Sequence, residues 1–264
     1  MTSTNCLNCE KELTDQYCSG CGQKADTHRI SFKNFIFHDV LHGTFHIEKG
    51  MLFTAKQALL RPGKAALDYI SGKRKRYYNV FYLILITIGL IIFLVHFSDI
   101  LAGEEVIQHP PYINEASKTL DEIISQKSKM IIFLFVPFAA LNSFILFRRK
   151  KLNLSEHAII AGMELLGMLL ISALGNLFFY LDLIIPFNST FSFLMSWLVT
   201  ILILLHVVYG YFNAFGADYS KWGIAYRIAL FYAFMCLEVV ILFLIVFGFV
   251  TNWKFGRVSL SPFG

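Results

Sequence analysis

Residues 79–97 read NVFYLILITIGLIIFLVHF, without one Asp, Glu, Lys or Arg. At about 1.5 Å per residue such a run comes close to the roughly 30 Å of a bilayer's hydrocarbon core, so it is expected to cross one as a helix. A surface helix of a soluble domain would carry a charged face at helical spacing, and this run has none. Lys73, Arg74, Lys75 and Arg76 stand just before it. Cations beside a span are retained in the cytoplasm, which orients this first helix with its N-terminal end inside.

Apolar run length, carried outward, finds four more runs, two of them with isolated charges: Met130 to Phe147 with Pro137 inside it, His157 to Ile185, Phe191 to Asn213, and Ile224 to Val250. Arg148, Arg149, Lys150 and Lys151 separate the second from the third, and Lys221 precedes the fifth, with Arg227 just inside it. The loop from Ser98 to Lys129 is acidic, and the turn from Pro186 to Thr190 has no cation. All the basic clusters then share one side, opposed only weakly by Lys254 and Arg257 in the tail. The expected fold is an all-α integral membrane protein with five transmembrane helices, its N-terminus cytoplasmic and its C-terminus outside. Composition agrees, because 56% of the 264 residues are hydrophobic and 16% charged, against about 45–50% and about 25% in soluble proteins. Disordered, collagen-like and disulfide-stapled secreted chains are excluded.

Four of the five cysteines fall in the first 21 residues as Cys6-x2-Cys9-x8-Cys18-x2-Cys21. Each C-x2-C pair grips one ion from a single tight turn, and four thiolates make the closed tetrahedral site that structural Zn²⁺ takes. Gly20 and Gly22 bracket Cys21, where a knuckle needs a positive φ and N–H groups aimed at sulfur. No apolar leader precedes the cysteines, so they are expected to stay reduced in the cytosol and bind zinc rather than pair. The ribbon, residues 1–25, is too short to hold a core, and the metal supplies its folding energy. Cys236 is read as a buried apolar side chain.

Residues 26–78 are neither linker nor span. Phe32, Phe35, Ile36, Val40 and Leu41 fall at helical spacing, as do Leu52, Ala55 and Leu59 before Arg61-Pro62-Gly63 interrupts them. Ala66, Leu67 and Ile70 continue to Gly72. Short amphipathic helices of this kind lie in the headgroup region. Residues 1–78 hold 12 Lys and Arg against 7 Asp and Glu, whereas the remainder balances. Anionic lipid is therefore an expected partner. Nucleic acid is not, because the cations gather at the membrane junction, where topology explains them. His38, His42 and His46 recur every four residues, but three successive turns cannot reach one ion; interfacial or pH-responsive roles fit them better.

The ribbon ending in Cys18-Ser-Gly-Cys-Gly-Gln-Lys24, the stretch from Gly50 to Tyr78 with Thr54, Pro62-Gly63, Gly72-Lys73-Arg74 and Tyr77, and Ser155-Glu156-His157 at the third span together resemble a bacterial family of multi-pass membrane proteins that is known only as a domain of unknown function. Val80 departs from that family's pattern, which has proline there. The resemblance implies a place in the bacterial cytoplasmic (inner) membrane and a zinc ribbon, and adds no catalytic residue.

Ionisable groups inside a membrane are costly and mark either pairs or functional sites. Five such polar residues, Asn142, His157, Glu164, His206 and Glu238, are expected at depths from which they could converge on one cavity. No Ser-His-Asp triad, paired carboxylates or phosphate-binding loop accompanies them. The leading expectation is a non-enzymatic scaffold or assembly and regulatory factor that recruits a protein partner through its ribbon. Alternatives are a small transporter or channel using the intramembrane Glu and His residues, and a lipid-modifying membrane enzyme.

Overall fold

A computed structural model describes residues 5–25, 49–102, 115–183, 187–251 and 253. The amphipathic run at 31–41 and the three spaced histidines lie outside the described residues. Among the described residues seven α-helices follow the ribbon: α1 (Lys49–Leu60), α2 (Pro62–Ile70), α3 (Val80–Ala102), α4 (Glu115–Leu146), α5 (Leu154–Phe179), α6 (Ser189–Phe215) and α7 (Lys221–Val250). Polar caps start the three longest apolar ones. Asn153 and Glu156 form a reciprocal capping box at α5, while Asn188 accepts from Phe191 N at α6 and Ser220 from Gly223 N at α7. Each cap satisfies N–H groups that lipid could not.

The bundle is built around α5, whose apolar window is 72% buried, against 39% in α3, 11% in α6 and 6% in α7. Gly162 of α5 packs on Val80 and Phe81, and farther along both helices Tyr180 donates to the Leu94 carbonyl, so α3 and α5 run parallel. α6 runs antiparallel to α5, with Gly210 against Glu164, His206 against Gly167 and Val199 against Gly175. Between two parallel helices the chain has to return, and α4 does so. Just past its end at Leu146, Phe147 stacks on Phe215 with centroids 4.5 Å apart, beside His157 at the start of α5. Tyr211, Phe231 and Tyr219 complete this aromatic plug at the ribbon end.

Four described helices, rather than the expected five, are long and apolar enough to cross a membrane: Val80–Ser98, Leu154–Phe179, Ser189–Phe215 and Lys221–Val250. The expected span from Met130 to Phe147 falls short because its described apolar stretch is only Ile132–Leu146, about 22 Å at 1.5 Å per residue. Its helix instead extends back to Glu115 through half of the expected acidic loop. Residues 115–129, EASKTLDEIISQKSK, contain neither Gly nor Pro and are mostly good helix formers, so nothing stops the helix there. The third span also ends earlier than expected, at Phe179, and a 3₁₀ turn at Tyr180–Leu183 follows.

α1 and α2 form a hairpin bent at Arg61-Pro62-Gly63 and docked against the ribbon-side halves of α5 and α6. Ala58, Ala65 and Ala66 are completely buried there. Protein therefore covers the apolar faces expected to lie on lipid, and Leu52 and Leu60 are the apolar side chains of the hairpin left exposed.

Candidate metal centre and the joint beneath it

Two equivalent knuckles make the ribbon. In the first, Cys6 N donates to Lys11 O and Glu10 N to Cys6 O, each at 2.8 Å; in the second, Cys18 N donates to Gln23 O and Gly22 N to Cys18 O at the same distance. The residue after the second cysteine is left-handed in both, Glu10 at φ 64° and Gly22 at φ 71°. Gly22 thus meets the sequence expectation, whereas Gly20 does not have a positive φ and serves instead by being small. A Cβ there would stand 2.9 Å from Lys11 Cδ and 3.5 Å from Cys9 Sγ. Glu10, an unusual left-handed residue without a glycine to announce it, was not legible beforehand.

All four Sγ atoms of Cys6, Cys9, Cys18 and Cys21 lie within 4.8 Å of one another. Cys6 and Cys21 are 3.6 Å apart and Cys9 and Cys18 3.5 Å, close to the roughly 3.8 Å edge of a tetrahedron with 2.3 Å metal–sulfur bonds. All are free thiols, and the arrangement can hold one metal ion. Backbone N–H groups of Cys21 and Gly20 draw the Cys18 thiol down to about 6, helped by Cys9 and Cys6. Cys9 behaves oppositely. Its backbone hydrogen bond at Lys11 lowers it, but the bond with Cys18, desolvation and the other two cysteines push it up to about 12. Four thiolates this close need a cation to coexist. Cys236, expected to be buried, is exposed on α7.

The ribbon is not a free tether. Gln23 is buried and spends both ends of its amide on the segment after α2, donating to Gly72 O at 2.8 Å and accepting from Lys75 N at 3.3 Å. Gly72 has φ 103°, and a Cβ on it would strike Leu7 Cδ1 at 2.7 Å, so the turn admits the ribbon only as glycine. Of the basic cluster, Lys73 pairs with Asp68 at 3.1 Å, Arg74 lies over the Tyr69 ring at 5.6 Å, and Arg76 donates to Asn8 O at 3.4 Å. Lys75 and Arg76 remain exposed. Thr54 accepts from Tyr78 N at 2.8 Å and Tyr77 donates to Asp68 at 3.3 Å, fixing the hairpin to the start of α3. At the bend, Gly63 packs directly on the Gly210 carbonyl and Ala214, while Lys64 N donates to Asn213 at 2.8 Å. The second basic cluster is similarly tied down. Lys150 pairs with Asp218 at 3.1 Å, Arg149 lies 4.7 Å over Tyr219, Arg148 donates to Ile145 O, and Lys151 closes its turn with φ 51°.

The five intramembrane polar residues do not converge on one cavity. Asn142 donates to Glu238 at 2.9 Å, His157 bonds to Ser143, and Glu164 stands 3.9 Å from His206 Nε2. These are three contacts between different helix pairs. A cavity of about 310 Å³ among α3, α4 and α5 is apolar, lined by Ile88, Ile92, His96, Ile132 and Leu169, and includes none of them. Gly167 and Gly210, which the sequence does not single out by composition, carry a signal in their spacing: a glycine three residues after Glu164 and another four after His206 give each polar side chain a bare patch on the facing helix.

A family described as a protein of unknown function (DUF3667) matches residues 48–91, which is the hairpin, the junction and the first half of α3. No curated protein matches the chain. No solved structure matches it.

Proposed function

We propose that the protein is a five-span scaffold of the bacterial inner membrane whose zinc ribbon and helical hairpin form one rigid cytoplasmic platform for a protein partner. The observation that carries this reading is the joint. Thr54, Pro62, Gly63, Gly72 and Tyr77 all serve to fasten ribbon to hairpin and hairpin to bundle, and they lie in the stretch that the family profile covers. A segment devoted to rigid mechanical connection suits a protein that presents a surface. Among the described residues the polar groups pair off separately and the cavity is apolar, which favours a scaffold over a solute path.

Zinc is the metal we assign, since four thiolates in a reducing compartment select it and leave no open coordination site for hydrolysis. Five spans are assigned because α3 and α5 run parallel, so that α4 has to cover the depth of the bundle between them despite its short apolar stretch. With Lys73–Arg76 and Arg148–Lys151 inside, the C-terminus then lies outside. Exposed Lys75 and Arg76 are left to meet anionic headgroups. A reporter fused after Gly264 should therefore read outside. The functional test is crosslinking in intact cells followed by mass spectrometry. One specific partner should be captured by the parent and lost with Cys18→Ser and with Gln23→Ala. An unchanged capture profile in both variants, or ion flux through the purified protein in liposomes, would retire the scaffold.

A further inference from the structure

Where α1, α5 and α6 meet, the polar bookkeeping does not close. Both carboxylate oxygens of Glu164 are buried without a hydrogen-bond partner among the described residues, and so is His206 Nε2. Their 3.9 Å separation exceeds a hydrogen bond. A third acceptor faces them. In a continuing helix the Ala58 carbonyl would receive the N–H of residue 62, but that residue is Pro62 and has none. A Cβ on Gly167 would lie 2.8 Å from the Ala58 oxygen and would collide with His206 Nε2, so carbonyl and imidazole flank one point. Gly210 leaves the matching room for the Glu164 carboxylate.

Three helices thus bring together a carboxylate, an imidazole and a carbonyl released from helix pairing. The imidazole interacts with the Ala58 carbonyl, and with at most one N–H among the three groups the carboxylate is left without a donor. A buried polar cluster so rich in acceptors is costly unless a cation satisfies it. Apart from the neighbouring His206, no ion pair to Glu164 forms among the described residues. The surrounding groups are neutral or point elsewhere. Tyr211 and Tyr232 lie near enough to feel the Glu164 charge, but donate to the carbonyls of Ala139 and Leu204. Tyr209 donates to Leu60 O, and Lys56 of α1 is exposed. One carboxylate in a low-dielectric seam is neutralised by one positive charge, which selects a monovalent ion over a divalent one.

We propose that Glu164, His206 and the Ala58 carbonyl form an intramembrane site for a single monovalent cation, a proton or an alkali-metal ion, whose occupancy fastens α1 to the seam between α5 and α6. The site is independent of the ribbon and of the scaffold reading. It gives Pro62 a second role besides bending the hairpin, that of freeing a ligand. Hydrogen exchange of α1 amides, read by mass spectrometry on the full-length protein in nanodiscs, tests it. After correction for intrinsic rates, exchange in α1 should rise about tenfold between about pH 6 and about pH 9 if the ion is a proton. At the higher pH it should fall when Na⁺ or K⁺ replaces choline if the ion is an alkali metal. Glu164→Gln should abolish the dependence and Glu238→Gln should keep it; should the former variant misfold, His206→Gln is read in its place. Parent exchange indifferent to both pH and cation overturns the site, as does a dependence that survives the loss of Glu164 or His206.

Discussion

Gly63→Ala is the sharpest test of the joint, because the structure supplies its own control in Gly89→Ala. Both glycines sit in helices, where alanine is favoured by up to about 1 kcal/mol. At Gly89 an added Cβ meets nothing within 4 Å, so that gain should be kept. At Gly63 the methyl would collide with the Gly210 carbonyl oxygen and lie 2.5 Å from Ala214 N and 2.8 Å from Ala214 Cβ. Two of these three atoms are backbone, and no rotamer change relieves them. α2 has to lift from α6, an overpacking cost of about 1–3 kcal/mol. Lifting it also strains the bonds from Lys64 N to Asn213 and from Tyr209 to Leu60 O, worth about 0.5–1.5 kcal/mol each. After the helix gain is subtracted, a net loss of roughly 1–5 kcal/mol remains, which lowers a thermal midpoint by several degrees. Thermal unfolding of both variants in one detergent, followed by circular dichroism, should place Gly63→Ala below the parent and Gly89→Ala at or above it. Equal midpoints would mean that α2 is not held against α6.

The ribbon should carry about one zinc per chain by elemental analysis, and Cys18→Ser should release it while the spans stay inserted. Because the metal-free Cys9 thiol is pushed up to about 12, metal uptake should expel protons and affinity should fall as pH falls, checked by metal titration at several pH values. Gln23→Ala removes two bonds of about 0.5–1.5 kcal/mol each, so it should speed proteolytic release of residues 5–25 without reducing metal content; loss of metal instead would place Gln23 in the knuckle rather than the joint. Burial first, then the nearby Asp68 carboxylate, raises Tyr77 from 10.0 to about 12. A raised folded value stabilises the protein fully below pH 10 and loses that contribution as pH rises toward about 12. Stability measured through this window should therefore decline more in the parent than in Tyr77→Phe.

The parts of the structure that were legible beforehand obey short-range rules. Long apolar runs, charge-free at 79–97 and 191–213 and broken only by isolated charges such as Glu164, Arg227 and Glu238 elsewhere, mark α3, α5, α6 and α7 because hydrocarbon disfavours charge whatever the neighbours are. The cysteine spacing marks the four-cysteine cluster because each knuckle closes within four residues. What was missed depends on partners distant in sequence. Residues 49–70 look like surface-lying helices because Leu52, Ala55 and Leu59 and then Ala66, Leu67 and Ile70 mark a face, yet nothing local says that α5 and α6, rather than lipid, will bury Ala58, Ala65 and Ala66 beside it. The α4 boundary failed for a different reason. Polarity was read as a loop signal at 115–129, although polar residues such as Glu, Lys and Gln are good helix formers. Helical spacing does not say which neighbour a polar side chain meets, and the five residues expected to converge form contacts in three separate pairs.

The distribution of burial argues for the membrane independently of hydropathy. α6 and α7 run 27 and 30 residues, yet only 11% and 6% of their apolar windows are buried by protein. Apart from Gly248, covered by Trp253, what is buried lies toward the ribbon end: His206, Val207 and Tyr211 on α6, and Ile224, Ile228 and Phe231 on α7. Farther away, Phe193, Leu194 and Trp197 of α6 and Val239, Val240 and Leu244 of α7 are each more than half exposed. Apolar exposure on this scale far exceeds the isolated patches that a protein in water tolerates. In lipid it costs nothing, because acyl chains are as apolar as the side chains they touch. Among the described residues, the protein's own packing is concentrated at one end for the same reason. Where water begins, exposed apolar surface becomes costly again, and there the aromatic plug, the hairpin and the ribbon close over the bundle in turn.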